Sequence, residues 1–403
     1  MKRRVVVTGL GVVSSIGTGH EEFWQNLVAG TSGISRVEGF DTSRHQTHYG
    51  AEIKSFDKRE HFSVRKSRFI GKASRFTVAC AQLALRDAGL DVKNKDDVGV
   101  SLGTTFGEAQ EIEGINEVWV RRGEDKGDFR AIRRSPLDNI PSNLANILRL
   151  RGPVRIFATA CSAGNYAIGY GYDIIRQGEA RTMIAGGSDV FSRVSFTGFN
   201  QLGVVAPEKC QPFDKNRKGM MVGEGAGIMV LELLEDALKR RAKIYAEILG
   251  YGLSCDAHHM ANPDSEGIAQ CMLKAMRDAG ISEKQVDYIC AHGSGTRQND
   301  AAEAAALRKI FGDRIRSIPV NSIKSMLGHA MGAASAIEAV ACCLVVANDI
   351  IPPTINFETL DPDCDVDCVP NKARKKKVDI ALNNGFAFGG NNSCLVIKKF
   401  EKE

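Results

Sequence analysis

Short apolar runs alternate with longer amphipathic stretches along nearly the whole chain. Runs rich in Val, Ile and Leu at 5–7, 97–102, 155–158, 182–185, 227–233, 244–250, 286–291, 318–322 and 394–398 predict buried strands. Segments 21–29, 75–88, 267–279, 299–310 and 333–347 predict helices. A further helix follows Cys161, with Ala167, Ile168, Tyr170, Ile174 and Ile175 on its apolar face. Strand–helix alternation of this kind predicts α/β layers in which helices cover a parallel sheet.

One internal repeat stands out. Leu85-Arg86-Asp87-Ala88-Gly89 closes a helix before a strand that runs into Gly103-Thr104. About half a chain later, Met276-Arg277-Asp278-Ala279-Gly280 precedes a strand that runs into Gly293-Ser294-Gly295-Thr296. Asp-Ala-Gly is an ordinary helix stop, but the shared helix–stop–strand–loop context predicts a duplicated α/β unit. With 403 residues the chain has room for both copies. No Pro- or Ser-rich linker separates them.

Composition narrows the function classes. Lys and Arg number 53 against 48 Asp and Glu, and this scattered excess of five is too small to suggest a nucleic-acid partner. It suits an acidic protein partner. Eleven cysteines without a CxxC pair read as free thiols in a reducing, cytoplasmic setting. The N-terminal apolar run is broken by Thr8, Gly9 and Gly11, which argues against an export signal. The longest apolar run, 331–347, contains Glu338 and reads as a core helix, so no membrane segment is expected.

Chemistry-bearing residues gather at strand ends. In Thr159-Ala160-Cys161-Ser162-Ala163-Gly164 a strand turns sharply into a helix among small residues. A thiol there meets the partial positive charge of the helix N-terminus, which predicts a lowered pKa and a nucleophile. A buried structural cysteine fits the same letters. His292-Gly293-Ser294-Gly295-Thr296 ends another strand, and Lys324 to His329 ends a third. Two histidines and a cysteine at equivalent strand ends read as one site, because ligands gather at the carboxyl ends of parallel strands. The glycine-rich segment 384–392 reads either as a hairpin turn or as a loop offering N–H groups to an oxyanion. Zinc-type spacing is absent but for Cys364 and Cys368 in an acidic loop, so no metal site is expected. Gly9-Leu10-Gly11 lacks the third glycine of a dinucleotide loop, and no phosphate-binding GxxxxGK[ST] occurs.

These motifs together resemble the β-ketoacyl-[acyl-carrier-protein] synthases, and most closely synthase II of type II fatty acid synthesis. The resemblance rests on VVVTGLGVVSSIG at 5–17, TACSAG at 159–164, AGGSD at 185–189 and PFDKNRKGMMVGEGAG at 212–227. It continues through AHGSGT at 291–296, KSMLGH at 324–329, PPTINFE at 352–358 and NGFAFGGNN at 384–392. It implies a thiolase-like duplicated α/β fold with five α-β-α-β-α layers. Residues 1–250 would carry the nucleophilic cysteine and 251–403 the two histidines. A homodimer is usual for the family, and a heterodimer with a ketosynthase-like partner is the alternative.

The implied reaction is decarboxylative Claisen condensation of an acyl thioester with malonyl-acyl carrier protein. Cys161 would be acylated, and His292 and His329 would support decarboxylation. Lys324 and its charged partner Glu338 would complete the site. Backbone N–H groups of Cys161 and Phe388 would form the oxyanion hole. Ser294 and Thr296 would hold the phosphopantetheine arm, which arrives on acyl carrier protein, so no bound cofactor is implied. Phe106 would fill the floor of the acyl pocket. The basic set Arg65, Lys66, Arg68 and Lys72 is expected to dock the acidic carrier, with the run 372–377 as a second candidate. The sequence departs from synthase II at Gln211, Ser294, Arg297, Gly385 and Ala387. A ketosynthase of a type II polyketide or aryl-polyene pathway is therefore the alternative to fatty acid elongation. A non-catalytic chain-length partner would lack Cys161, and a degradative thiolase would need a second active cysteine late in the chain.

Overall fold

The computed structural model describes residues 3–56, 69–92 and 95–401. Its main sheet is built from two five-strand units of the same topology. The first unit comprises Val5–Ser14, Val98–Gly103, Val154–Phe157, Thr182–Asp189 and Gly225–Leu233; the second comprises Ala246–Cys255, Tyr288–Cys290, Val320–Asn321, Ile380–Phe386 and Asn391–Lys399. Outward from the seam, both units run first, fifth, fourth, second, third. In both, the second strand is parallel to the third and fourth, and the fifth is antiparallel to its neighbours. The units join where Val5, Val6 and Val7 pair antiparallel with Ile248, Glu247 and Ala246. The sheet is thus mixed, not parallel throughout as the strand–helix alternation predicted. In the second unit the fifth strand returns through the short turn Phe388–Gly390, and in the first through a long segment that contains the helix Arg193–Gln201; both pair antiparallel with the fourth strand.

Helices complete five layers. Lys72–Asp87 covers the outer face of the first unit, and Ser265–Ala279 covers that of the second, packed against Arg297–Phe311. Ala163–Gln177 and Ala334–Asn348 touch each other and strands of both units, and so form the middle layer. Every residue from Ala334 to Val346 is buried, which explains why this helix has no polar face. Met331–Asn348 has the length and apolar composition to cross a membrane; here it is buried against strands of both units.

The five-letter repeat falls on equivalent helix ends. Asp87 accepts the Leu10 N–H at 2.8 Å, and Asp278 accepts the Tyr251 N–H at 3.1 Å, each from the first strand of its own unit. Those first strands also carry equivalent glycine pairs. A Cβ on Gly11 would lie 2.0 Å from the Cys80 carbonyl oxygen, and one on Gly252 would lie 2.3 Å from that of Cys271. Gly9-Leu10-Gly11 therefore lets a helix approach a strand.

The strand Ile380–Phe386 was not read from sequence, because Asn383, Asn384 and Gly385 interrupt its apolar run. Helices Ala109–Arg122, Asn139–Leu148 and Arg193–Gln201 were also missed. The expected division after residue 250 lies inside the strand Ala246–Cys255. All eleven cysteines are free thiols.

The close approach predicts opposite effects of one substitution at two glycines. Gly11→Ala must push strand and helix apart and should lower stability by about 1–3 kcal/mol or more. Gly114→Ala, in a helix with nothing within 4 Å of the new methyl, should raise it by about 0.4–1 kcal/mol. Urea midpoints of the two variants check both signs.

Candidate active site

The third strand of each unit leads into a central helix, and the turns before those helices meet at one cavity. After Val154–Phe157, Ala160 adopts a left-handed φ of 51° and the turn Ala160–Ser162 presents Cys161 at the start of Ala163–Gln177. Such strain persists only where surrounding structure enforces it. The cavity measures about 220 Å³ and is lined by Cys161, His292, Ser294, Thr296, His329 and Phe388, with Phe199, Met260 and Asn299 among the remainder. It thus brings together residues from four separate motifs.

The two histidine rings meet edge to face, with centroids 5.3 Å apart. Burial, reinforced by the charge of Lys324, pushes both well below the ordinary histidine range, so both are neutral near pH 7. The Met331 N–H donates to Nδ1 of His329 at 3.0 Å. A neutral ring that accepts at Nδ1 carries its proton on Nε2. His329 thus keeps an Nε2–H donor. Nδ1 of His292 is buried without a protein partner among the described residues.

Cys161 departs from the expected low pKa. Burial pushes its thiol up to about 11, against the opposing influence of Lys324 and of the Cys161 and Phe388 N–H groups. Desolvation of the thiolate outweighs the helix N-terminus. The two N–H groups nonetheless act at one point, the sulfur. Phe388 begins the turn Phe388–Gly390, which connects two antiparallel strands. Segment 384–392 is therefore a hairpin and a donor-bearing turn at once.

Lys324 is buried and pairs with Glu338. Burial pushes Glu338 up to about 7, with Lys324 opposing. Two carboxylates in the cluster had no role assigned from sequence. Glu303 accepts the N–H groups of His292 and Gly293 at 2.9 and 2.8 Å. Asp189, the last letter of AGGSD, accepts N–H groups from two loops. Ser294 and Thr296 hydroxyls bond each other at 2.9 Å on the cavity wall.

Other candidates lie elsewhere. Phe106 is half-buried one ring behind the cavity, edge-on to Phe199 at 6.4 Å, and is not among the lining residues. Lys72 turns inward to the buried Glu224 at 2.8 Å, with its ammonium over the Phe76 ring. Arg65, Lys66 and Arg68 lie outside the described residues. In the run 372–377, Arg374 pairs with Asp367, Lys377 pairs with Asp379 and Lys376 donates to the Ser317 carbonyl.

A duplicated five-layer α/β fold with a thiol facing two neutral imidazoles defines the thiolase-like ketosynthase class. Residues 2–237 match the beta-ketoacyl synthase N-terminal domain, and residues 245–358 match the C-terminal domain. The chain is 40% identical to 3-oxoacyl-[acyl-carrier-protein] synthase 2 of Coxiella burnetii and 38% identical to that of Synechocystis sp., with 99% of each chain covered. Among solved structures, the ishigamide ketosynthase/chain length factor superposes with a TM-score of 0.96 at 42% identity over 100% of both chains. A type II PKS acyl-carrier protein in complex with its ketosynthase gives a TM-score of 0.92 at 34% identity, also over 100% of both chains. The chain belongs to the beta-ketoacyl synthase family.

A thiol held near 11 predicts a definite pH profile. Iodoacetamide labelling of Cys161, read by peptide mass, should rise about tenfold per pH unit from pH 7 to 10, because only the thiolate reacts. A plateau below about pH 8.5 would mean that the thiolate is already formed at neutrality.

Proposed function

We propose that this protein is a 3-oxoacyl-[acyl-carrier-protein] synthase that extends acyl chains by decarboxylative condensation in fatty acid elongation. The observation that carries the proposal is the cavity shared by Cys161, His292 and His329. The sulfur of Cys161 attacks an acyl thioester, the carrier's sulfur leaves with a proton, and the acyl group stays on Cys161. Malonyl-carrier then enters and its carboxylate departs as carbon dioxide. The electron pair left behind moves onto the thioester oxygen as an enolate, which accepts a hydrogen bond from Nε2–H of His329, with His292 beside it. A neutral donor stabilises the enolate without quenching it by protonation. The enolate carbon attacks the acyl-cysteine carbonyl, whose oxygen takes the N–H groups of Cys161 and Phe388. Collapse breaks the carbon–sulfur bond, and the 3-oxoacyl-carrier leaves while the Cys161 thiolate takes up a proton from solvent.

The name shared by the Coxiella and Synechocystis relatives supports the fatty acid assignment. Ser294 and Thr296 on the cavity wall suit the amides of a phosphopantetheine arm, so the protein needs no bound cofactor of its own. The reading includes acyl carrier protein as partner, a homodimer, and a cytoplasmic setting that keeps eleven thiols reduced. A polyketide pathway is the second reading, favoured by the 42% identity to the ishigamide ketosynthase/chain length factor. That reading allows a heterodimer with a ketosynthase-like partner. Cys161 argues against a non-catalytic partner. Cys394 argues against a thiolase, because it is buried and absent from the cavity lining.

Incubation with acyl-carrier should give a mass adduct on Cys161 that Cys161→Ala lacks. His292→Ala and His329→Ala should still accept the acyl group, yet release carbon dioxide from malonyl-carrier about 10²–10³-fold more slowly. Acylation of Cys161→Ala, or decarboxylation at the parent rate by both histidine variants, would refute the assignment.

A further inference from the structure

Gly332 occupies in the second unit the place that Cys161 holds in the first. Each follows a left-handed residue, Ala160 at φ 51° and Met331 at φ 49°. Each sits in a 3-10 turn, Ala160–Ser162 or Met331–Ala333, that runs directly into a central helix. A Cβ on Gly332 would lie 2.4 Å from the carbonyl carbon of Thr104, so the second turn cannot carry a thiol. Its N–H is in use nonetheless: it donates to Oδ2 of Asp189 at 2.7 Å.

Asp189 is fully buried at the end of its strand. Besides Gly332 it receives the N–H groups of Thr105 at 2.6 Å, Phe106 at 2.9 Å and Gly107 at 3.2 Å, and the Thr104 hydroxyl at 3.0 Å. In the first unit the corresponding N–H, that of Cys161, is turned toward the sulfur and the cavity. In the second it is filled by a carboxylate of the protein itself. Through Gly332 that carboxylate reaches the turn beside His329. Gly332 follows Met331, whose left-handed backbone aims its own N–H at Nδ1 of His329. Holding Gly332 holds this turn, and the turn sets which nitrogen of His329 bears the proton.

We propose that Asp189 is a positioning residue for the condensation: by anchoring the Met331–Gly332 turn it keeps the His329 proton on Nε2, facing the substrate. The proposal rests on the Cys161, His292 and His329 reading of the site.

The test compares Asp189→Asn with the parent in three measurements. Asparagine keeps the shape but turns an NH2 group toward N–H donors. Acylation of Cys161 should stay within about threefold of the parent. Decarboxylation of malonyl-carrier should fall about 10²-fold, the scale expected when a reacting group loses its alignment. In protein labelled with ¹⁵N-histidine, the His329 signal, assigned by its loss in His329→Ala, should change from the Nε2–H pattern to a tautomer mixture. Thr104→Val, which removes one donor to Asp189 and the hydroxyl that accepts the Gly107 N–H but leaves the Gly332 contact, should shift the same quantities in the same direction by less, and it decides the matter if Asp189→Asn does not fold. Equal losses of acylation and decarboxylation would mark Asp189 as merely structural and overturn the proposal. So would an unchanged His329 pattern with undiminished decarboxylation. A parent protein that never decarboxylates malonyl-carrier would refute the proposed function instead, and the tautomer comparison would still decide the positioning.

Discussion

The site depends on how closely the two central helices approach. A Cβ on Gly164 would lie 2.6 Å from the Ala336 nitrogen of the facing helix, and the same helix lies as close to the strand Gly225–Leu233, where a Cβ on Gly227 would be 2.7 Å from the Ile337 nitrogen. Backbone thus meets backbone across the middle layer, which only glycine permits. A buried polar network locks the same junction. The Asn165 N–H donates to the Ser335 hydroxyl at 3.1 Å, and the Asn383 amide donates to Asn165 and to the Ser335 carbonyl, both at 2.8 Å. Because the helices start side by side, the turns before them are forced together. One turn carries Cys161, and His329 directly precedes the other. His292, at the end of the second unit's second strand, falls beside them because that strand pairs with Ile380–Phe386, which leads to Phe388.

Burial then sets the chemistry. It keeps the thiol protonated and both imidazoles neutral, and it raises Glu303 and Glu338 to about 7. Lys324 is the buried cation of the cluster, paired with Glu338, and its charge opposes the rise of the thiol while adding to the fall of the histidines. A site of this kind offers hydrogen-bond donors to developing oxyanions without offering a strong acid that would protonate the carbanion. The same low dielectric makes each unmatched charge costly, so Glu303 takes the N–H groups of His292 and Gly293, and Glu338 is set against the Lys324 ammonium.

Much of this was legible in the sequence where polar or reactive letters interrupt apolar strand ends. Cys161, His292, Lys324 and His329 stand out for that reason, and the helix-stop repeat exposes the duplication before any topology is known. What stayed hidden depends on tertiary distance. Asp189 stands in the AGGSD motif, but it draws its N–H partner Gly332 from 143 residues away, so the motif gives no sign of its role. The pKa of Cys161 follows from burial, which a helix-terminus argument alone does not see. Phe106, set at the pocket floor by the family resemblance, lies one ring behind the cavity, edge-on to Phe199. Lys72 reads as a surface cation in sequence but is drawn inward by the buried Glu224. The strand Ile380–Phe386 is masked by Asn383, which ties both central helices to it, and by Asn384, which donates to Glu303.

The central claim is that one cavity first stores an acyl group and then joins it to a malonyl-derived carbanion. A single-turnover measurement tests it most directly. Protein carrying one acyl group on Cys161, freed of excess donor, is mixed with malonyl-carrier, and carbon dioxide, 3-oxoacyl-carrier and residual acyl-enzyme are followed together. The account predicts that one carbon dioxide and one 3-oxoacyl-carrier appear for each acyl group that leaves Cys161, all at the same rate. Acyl groups that remain on Cys161, or leave as free acid without matching carbon dioxide, would contradict it.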